Sequence, residues 1–109
     1  MTPLRIANAQ GFWGDSLDAA SKLAADAPDL DFITLDYLAE VSMSILAKQR
    51  QRDPSAGYAR DFLDVVRSLV PFWREGRALR VVTNAGGLNP VECARQCQNI
   101  LREAAIPKL

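Results

Sequence analysis

The chain of 109 residues is long enough for one domain with a modest hydrophobic core. Hydrophobic residues make up 49% and charged residues 24%, a composition typical of globular domains rather than disordered or membrane-spanning ones. The 13 basic and 13 acidic residues cancel and histidine is absent, which argues against nucleic-acid and membrane partners and excludes histidine-based catalytic triads and metal sites.

The first part of the chain predicts two strands separated by a helix. Residues 4–9 alternate weakly and lead into a glycine-bracketed turn over 10–15, which indicates a short strand and a loop. Asp15 or Ser16 can cap the next helix, whose apolar residues recur at helical spacing. The run Phe32–Leu35 predicts a second strand, buried on both faces.

Two helices are expected to follow the second strand. From Tyr37 to Lys48 the apolar residues form one stripe, which predicts a helix packed through Leu38, Val41, Ile45 and Leu46. A polar connection over 49–57 leads to a second helix from about Ala59 to Leu69. We expect Pro71 to kink this helix or to open a new turn, and Gly76 to end it.

The last part of the chain predicts a third strand over 79–83 and a helix over 89–105. Asn89, Pro90 and Glu92 suit the N-cap, N1 and N3 positions of that helix. The resulting β-α-β-α-α-β-α order predicts a single α/β domain with a three-layer architecture, in which helices cover a parallel sheet. Both edges of so small a sheet need protection. The chain is therefore a fragment of a larger protein, a protein that assembles with more strands, or a small minimal domain, and composition does not choose among these.

Most of the unusual residues follow the strands. In a parallel sheet every strand ends at the same edge, where ligands of open α/β sheets bind. We therefore expect three loops to gather there, over residues 11–15, 36–40 and 84–89. Their convergence predicts a ligand site, although it does not identify the ligand.

The third loop is a candidate anion site. Gly86 and Gly87 precede a capped helix, so backbone N–H groups and the positive end of the helix dipole would suit phosphate or carboxylate. The alternative is that the glycines only supply positive φ for a tight turn. Asn84 either orients a substrate carbonyl or caps the backbone, while Asn89 is expected to cap the helix and is also a candidate ligand contact.

Three carboxylates in the first two loops are candidate catalytic groups. Asp15, Asp36 and Glu40 would serve as acids or bases, or as a cluster for a hard cation such as Mg²⁺. The alternative makes Asp15 a helix cap and Glu40 a solvated charge in the first helical turn. We assign neither a resident metal nor a cofactor.

The first loop argues against a dinucleotide. Asp36 follows the second strand, where an acidic residue binds ribose in dinucleotide folds. However, Gly11 and Gly14 enclose the bulky Phe12 and Trp13 at the place where pyrophosphate needs room. We therefore expect this loop to contact another small ligand through its glycines and aromatic rings.

Phe12, Trp13 and Tyr37 are the three aromatic residues of the proposed rim. They would line an apolar substrate pocket, or alternatively pack in the core. The other conspicuous side chains, Cys93 and Cys97, lie four residues apart on one predicted helical face. Two thiolates alone make an incomplete metal site, so we predict two small packed side chains, reduced in a cytoplasmic protein without a secretion signal.

Four ordered motifs resemble the N-terminal domain of the acyclic terpene utilisation protein A family; they are residues 11–15, 36–46, 53–59 and 83–90. The resemblance implies an α/β fold and a cytoplasmic protein linked to the breakdown of acyclic terpenes or related acyl-CoA compounds. Family members are longer and lack an assigned reaction. The chain therefore resembles one portion of a larger Rossmann-like domain, with a fourth strand expected beyond the last helix.

Two function hypotheses follow. In the first, the domain binds an anionic isoprenoid or acyl-CoA, with Gly86 and Gly87 on the anion, Asn84 on the carbonyl, and the three carboxylates of the first two loops managing protons. In the second, it is a non-catalytic module that assembles with itself or with a partner of the pathway. A truncated family member without independent activity is a third interpretation.

Overall fold

The computed structural model describes residues 2–106, and its elements follow the predicted order. The strands are β1 (Ile6–Gln10), β2 (Phe32–Leu35) and β3 (Arg80–Thr83), and the helices are α1 (Ala19–Asp26), α2 (Glu40–Arg52), α3 (Phe62–Arg74) and α4 (Pro90–Glu103). Both strand pairs are parallel, in the spatial order β1-β2-β3. The α/β class, the parallel sheet and the β-α-β-α-α-β-α order are thus confirmed.

The helices α1, α3 and α4 form one layer on one face of the sheet. α1 packs against β1 and α3, and α3 packs against α4. Ile33 and Leu35 are buried beneath them, whereas Ile6 and Val82 are exposed on the opposite face. Right-handed crossovers between strands in sequential order place successive helices on the same side, which explains the arrangement. The structure therefore corrects the expectation that β2 is buried on both faces.

A register shift near the end of β1 determines how the first loop leaves the strand. The pairing of β1 with β2 skips Ala9, between Asn8 and Gln10. The bulge reverses the alternation of side chains, so Gln10 points inward and is almost fully buried. Its Nε2 atom donates a hydrogen bond of 2.9 Å to the Ser16 carbonyl, which ties the far end of the loop to the strand.

The first helix begins later than predicted. α1 starts at Ala19, so neither Asp15 nor Ser16 is its cap. Asp15 instead closes the preceding turn, because its carboxylate accepts hydrogen bonds from backbone N–H groups inside the loop. Ala20 and Ala24, one helical turn apart, are fully buried as the predicted spacing requires.

The apolar stripe predicted for α2 is only partly buried. The helix packs through Ser42 and Leu46, whereas Val41 is 73% exposed and Ile45 is 42% exposed. The two pairs occupy adjacent faces of the helix, since each pair is four residues apart. The expectation that Val41 and Ile45 pack in the core is therefore wrong, and α2 offers an exposed apolar face beside the first loop.

The third helix continues through Pro71. α3 is one helix over Phe62–Arg74, so no new turn opens at Pro71, and the alternative of a kink there stays a prediction. A proline inside a helix costs roughly 3 kcal/mol. Burial of six side chains along α3, ending with Trp73, outweighs that cost. Gly76, with φ of 91°, follows the helix as predicted and donates its N–H to the Trp73 carbonyl.

Candidate functional site

The ends of β2 and β3 are joined by one side chain. The Oδ1 atom of Asn84 accepts a hydrogen bond of 2.8 Å from the Tyr37 N–H, and its Nδ2 atom donates one of 2.8 Å to Asp36 Oδ1. Both ends of the amide are thus engaged. Asn84 holds the second loop against the third and orients Asp36, whose side chain is exposed at the rim.

The glycine turn of the third loop is packed tightly against its neighbours. Gly87 has φ of 52°, and a Cβ atom there would lie 2.7 Å from Leu46 Cδ1 and 2.8 Å from the Gly57 carbonyl oxygen. A Cβ atom on Gly86 would lie 2.9 Å from two carbons of Pro90. Only glycine fits at these positions, because any side chain would meet α2, the connection before α3, or the start of α4.

Most backbone donors of this loop are engaged within the protein. Gly87 and Asn89 donate their N–H groups to carbonyls three residues earlier, at 3.1 and 2.9 Å, and Leu88 donates to the Gly57 carbonyl at 2.9 Å. Three of the four N–H groups over residues 86–89 therefore have internal acceptors. This geometry favours the turn-forming role of the glycines, while anion binding by Gly86 and Gly87 stays a prediction.

Asn89 is the N-cap of α4, as its position in the sequence predicts. Its Oδ1 atom accepts from the Glu92 N–H at 3.4 Å. Its Nδ2 atom donates to the carbonyls of Pro54 and Ala56 at 3.1 and 3.0 Å. Both ends of this side chain are occupied, so Asn89 fixes the start of α4 to the connection after α2.

The first loop is closed from within by Asp15. Its Oδ2 atom accepts from the Gly11 N–H at 3.1 Å, and its Oδ1 atom accepts from the Ser16 N–H at 2.7 Å. These two hydrogen bonds, that from Gly11 first, hold the pKa of Asp15 below its ordinary value. Asp15 is therefore ionised near neutral pH, and its carboxylate serves the shape of the turn.

Trp13 anchors the first loop to the start of α3, whereas Phe12 does not pack. The Nε1 atom of Trp13 donates a hydrogen bond of 2.8 Å to Asp61 Oδ1. The adjacent Phe12 side chain is 60% exposed. Gly14, with φ of 104°, supplies the left-handed residue of this turn and has open space where a Cβ atom would lie.

An apolar cleft of about 270 Å³ separates the first loop from α2. Its larger walls are the rings of Phe12, Trp13 and Tyr37 on one side and Val41 and Ile45 on the other. With Gly11, four residues predicted to bind ligand thus meet at one cleft. Gly86 and Gly87 are not among its lining residues, so the predicted three-loop rim is divided, with Asn84 and Asp36 forming the link.

Tyr37 belongs both to this cleft and to the core. Its side chain is 1% exposed and meets Phe62 edge to face at 6.0 Å between ring centroids. Burial, followed by the charge of Asp61, raises the pKa of the Tyr37 phenol well above its ordinary value. Tyr37 therefore stays neutral, and it stiffens the floor of the cleft rather than titrating.

The predicted carboxylates are not gathered into a cation site. Glu40 is an exposed first-turn residue of α2, as the alternative interpretation proposed, while Asp36 is bound to Asn84. Within residues 2–106 there is no group of three or more acidic, thiol or imidazole side chains able to hold a metal ion. The proton-transfer roles of Asp15, Asp36 and Glu40 stay predictions.

A family model described as acyclic terpene utilisation family protein AtuA matches residues 4–109. The chain belongs to this family. Neither a curated protein nor a solved structure matches it. The resemblance carried by the four motifs is thus confirmed, and AtuA membership connects the chain with the utilisation of acyclic terpenes.

Several AtuA motif residues have an architectural role in this structure. Gly57, with φ of 109°, presents its carbonyl to Leu88, and Asp53 accepts hydrogen bonds from the N–H and hydroxyl of Ser55 at 2.9 and 2.7 Å. They shape the connection on which the glycine turn rests.

In the part of the chain that the structure describes, no helix is long and apolar enough to cross a membrane.

Sequence reasoning missed two contributors to the cleft. Val41 and Ile45 were assigned to the core, yet they form its outer wall. A signal was available, because the stripe on α2 is wider than one buried face and includes the adjacent pair Ile45 and Leu46. Asp61, which holds Trp13, gives no signal, since its partner is 48 residues away in the sequence.

Proposed function

We propose that this domain serves acyclic terpene utilisation by binding the branched hydrocarbon chain of a terpenoid carboxylate or its acyl-CoA thioester in the cleft beside α2. The observation that carries the proposal is the cleft itself, where the exposed side chains of Phe12, Val41 and Ile45 converge. Burying such side chains under a hydrocarbon is favourable by about 25 cal/mol per Å² of apolar surface.

The size of the cleft suits the hydrocarbon part of the ligand. Its volume of about 270 Å³ lies near the lower end of the range for small-molecule pockets, roughly 300–1,000 Å³. A nucleotide group would therefore remain outside. Trp13 and Tyr37 keep the inner wall rigid, since one is hydrogen-bonded to Asp61 and the other is packed on Phe62.

The polar head of the ligand would lie toward the ends of β2 and β3. Asn84 holds Asp36 there, and the glycine turn with the positive end of α4 lies on the far side of α2. Arg50 brings a positive charge to the glycine turn, where its guanidinium donates to the Leu88 carbonyl at 2.5 Å. A carboxylate or thioester would accept from the Gly86 N–H, which among residues 86–89 has no internal acceptor, while Asn84 holds the neighbouring loop in place. The reaction is left unassigned.

Substitution of one exposed valine tests the cleft. Val41→Asp places a carboxylate on its outer wall, so we expect the affinity for a ten-carbon acyclic terpenoid carboxylate and for its CoA thioester to fall at least about tenfold. Isothermal titration calorimetry measures the two affinities. Val41 is 73% exposed, so the substitution should leave the fold intact.

The chain offers a matched control in α4. Val91 is 70% exposed and, like Val41, is the second residue of its helix, but it lies outside the cleft. Val91→Asp should bind like the wild type. Equal weakening in both variants, or none in either, would exclude the cleft as the binding site.

Assembly is a second candidate function, favoured by a different feature. The sheet face opposite the helices exposes Ile6 and Val82, and among residues 2–106 the outer edges of β1 and β3 are unpaired. A domain that assembles would cover this surface. Sedimentation velocity over a range of concentrations tests the idea, and a monomer throughout would count against self-assembly.

A further inference from the structure

A second cavity, of about 280 Å³, lies at the carboxyl end of α2 and shares no lining residue with the cleft beside the first loop. Its lining residues come from the last turn of α2 and from the connection before α3: Gln49, Arg52, Asp53, Ala56 and Arg60. We name it the arginine pocket, because two guanidinium groups dominate its lining.

The arginine pocket and the cleft are lined by the same face of α2. Val41 and Ile45 line the cleft, whereas Gln49 and Arg52 line the pocket. Val41, Ile45 and Gln49 are four residues apart in turn, and Arg52 follows after three more, so the four side chains form one stripe along the helix. All four are exposed within residues 2–106. A ligand longer than the cleft can therefore follow α2 from one cavity to the other.

The charge of the arginine pocket favours an anion. Arg52 is exposed and forms no salt bridge within residues 2–106. Arg60 pairs with Asp53 at 3.3 Å, but both side chains are more than half exposed, and such surface pairs contribute little to stability. Asp53 also accepts hydrogen bonds from the N–H and hydroxyl of Ser55, so it does not depend on Arg60. Both guanidinium groups are thus available to phosphate, which arginine binds through two parallel hydrogen bonds.

The distance between the two cavities suits coenzyme A. From Val41 to Arg52 the helix advances by eleven residues, which corresponds to about 16 Å. The chain from the sulfur of coenzyme A to its first phosphorus contains about 13 bonds, and at the advance of an extended backbone, about 1.2 Å per bond, it spans about 16 Å. A free terpenoid carboxylate carries its single charge at the end of the hydrocarbon, so it would use the rim of the cleft but not the arginine pocket.

We infer that the arginine pocket binds the phosphates of a CoA thioester whose pantetheine arm follows α2 and whose acyl chain lies in the cleft. The inference rests on the proposed function and narrows its ligand to the thioester. The cleft selects the hydrocarbon, while Arg52 and Arg60 select the nucleotide. The path along α2 lies within residues 41–60, so it is formed without the strand expected after α4.

Calorimetric titration with a matched pair of ligands tests the contribution of the phosphates. The pair is the CoA thioester of a ten-carbon acyclic terpenoid acid and the pantetheine thioester of the same acid, which lacks the nucleotide and its phosphates. We expect the wild-type chain to bind the CoA thioester at least about tenfold more tightly. The difference should shrink as the salt concentration rises, because the two arginines are exposed.

A charge reversal in the arginine pocket has a matched control in α4. Arg52→Glu should weaken the CoA thioester about tenfold and leave the pantetheine thioester unchanged. Arg102 is likewise an exposed basic residue in the last turn of its helix, and it lines neither cavity. Both substitutions therefore place a carboxylate at a helix carboxyl end, with the same unfavourable effect on the helix dipole. Arg102→Glu should bind both thioesters like the wild type.

Free coenzyme A separates failure of this inference from failure of the cleft proposal. It should bind more weakly than the thioester, lose about tenfold in affinity in Arg52→Glu, and be unaffected by Val41→Asp. Equal affinities of the wild type for the two thioesters, or equal weakening by Arg52→Glu and Arg102→Glu, would overturn the inference. If Val41→Asp still weakened both thioesters, the cleft proposal would stand. Binding of free coenzyme A that depends on Arg52, with thioester affinities that Val41→Asp does not change, would support the arginine pocket and contradict the cleft.

Discussion

The loops after β1 and β3 are built from the same ingredients, yet the structure uses them differently. Each contains two glycines and leads from a strand toward a helix. The loop after β3 is held by its neighbours, since Gly87 fits between Leu46 and Gly57. The loop after β1 is held mainly by its own Asp15 and leaves Phe12 exposed. The more conspicuous glycine motif is the more architectural of the two.

The difference bears on which loop can adapt to a ligand. A loop whose N–H groups already form hydrogen bonds within the protein has little freedom to adapt to a ligand. An exposed aromatic ring beside an apolar helical face, in contrast, is stabilised when a ligand covers it. The cleft therefore lies at the first loop, and the third loop supports it through Asn84. The predictions below test this contrast.

The largest effect is expected for Gly87→Val. The new side chain would overlap Leu46 and the Gly57 carbonyl, whose distances from the added Cβ atom are 2.7 and 2.8 Å, and valine is poorly accommodated at φ of 52°. We expect the free energy of unfolding to fall by at least about 3 kcal/mol, measured by urea denaturation. Such a loss would make this variant unsuitable for separating binding from folding.

The matched control is Gly14→Val in the first loop. Its φ of 104° is also unfavourable for valine, but nothing lies within 4 Å of the added Cβ atom. We expect a loss of about 1–2 kcal/mol from backbone strain alone. If the two variants lost equal stability, the close packing of the third loop would not distinguish it from the first.

A smaller effect is expected for Asn84→Ala. The substitution removes the acceptor of the Tyr37 N–H and the donor to Asp36, so about 1–2 kcal/mol of stability should be lost. The second loop should also loosen, which would be seen as faster amide exchange at Tyr37 with little change at Glu92. Unchanged exchange at Tyr37 would show that Asn84 does not hold the two loops together.

Trp13→Phe should cost about 1 kcal/mol, because it removes one hydrogen bond to Asp61 while keeping an aromatic ring. A double-mutant cycle with Asp61→Ala isolates this bond from the packing of the ring. Thermal denaturation of the four proteins gives the coupling free energy. Additive losses would mean that Trp13 is held by packing alone.

The smallest expected effect is on the pH dependence of stability, through Asp15. The pKa of Asp15 is lowered in the folded chain by the N–H groups of Gly11 and Ser16, so its contribution to stability is present above the ordinary value of 3.8 and is lost as pH falls through the lowered folded value. Asp15→Asn should therefore be less stable than the wild type at pH 7, and the difference should shrink as pH falls through the lowered pKa of the folded chain. Urea denaturation across this acidic range tests this, and parallel pH profiles of the two proteins would contradict it.

Signals confined to a few neighbouring residues predicted structure well. The apolar run of β2 gave its bounds, and the sequence from Asn89 through Pro90 to Glu92 specified the cap of α4. In both cases the deciding interactions lie within one strand or one helical turn. The family motifs also depended only on sequence order, and the family match confirmed them.

Predictions that depended on distant partners were less accurate. Asp15 suited a helix cap, but the bulge in β1 placed the Gly11 N–H within its reach. Pro71 indicated a kink or a new turn, but the buried face of α3 kept residues 62–74 in one helix. Val41 and Ile45 indicated a core, but α2 packs through Ser42 and Leu46. In each case competing contacts from elsewhere in the fold decided the outcome.

The sequence by itself determined the order of strands and helices, the strand ends that meet at one edge, the cap of α4 and the family. Those features follow from hydrophobic periodicity and from hydrogen bonds between near neighbours. Only the tertiary structure decided that α1, α3 and α4 pack on one face of the sheet and that Leu46 occupies the space beside Gly87. It also decided that Val41 and Phe12 line the same cleft. These features depend on how separate helices and strands pack together. Packing decides which of several apolar helix faces is buried, and the sequence pattern alone does not distinguish those faces.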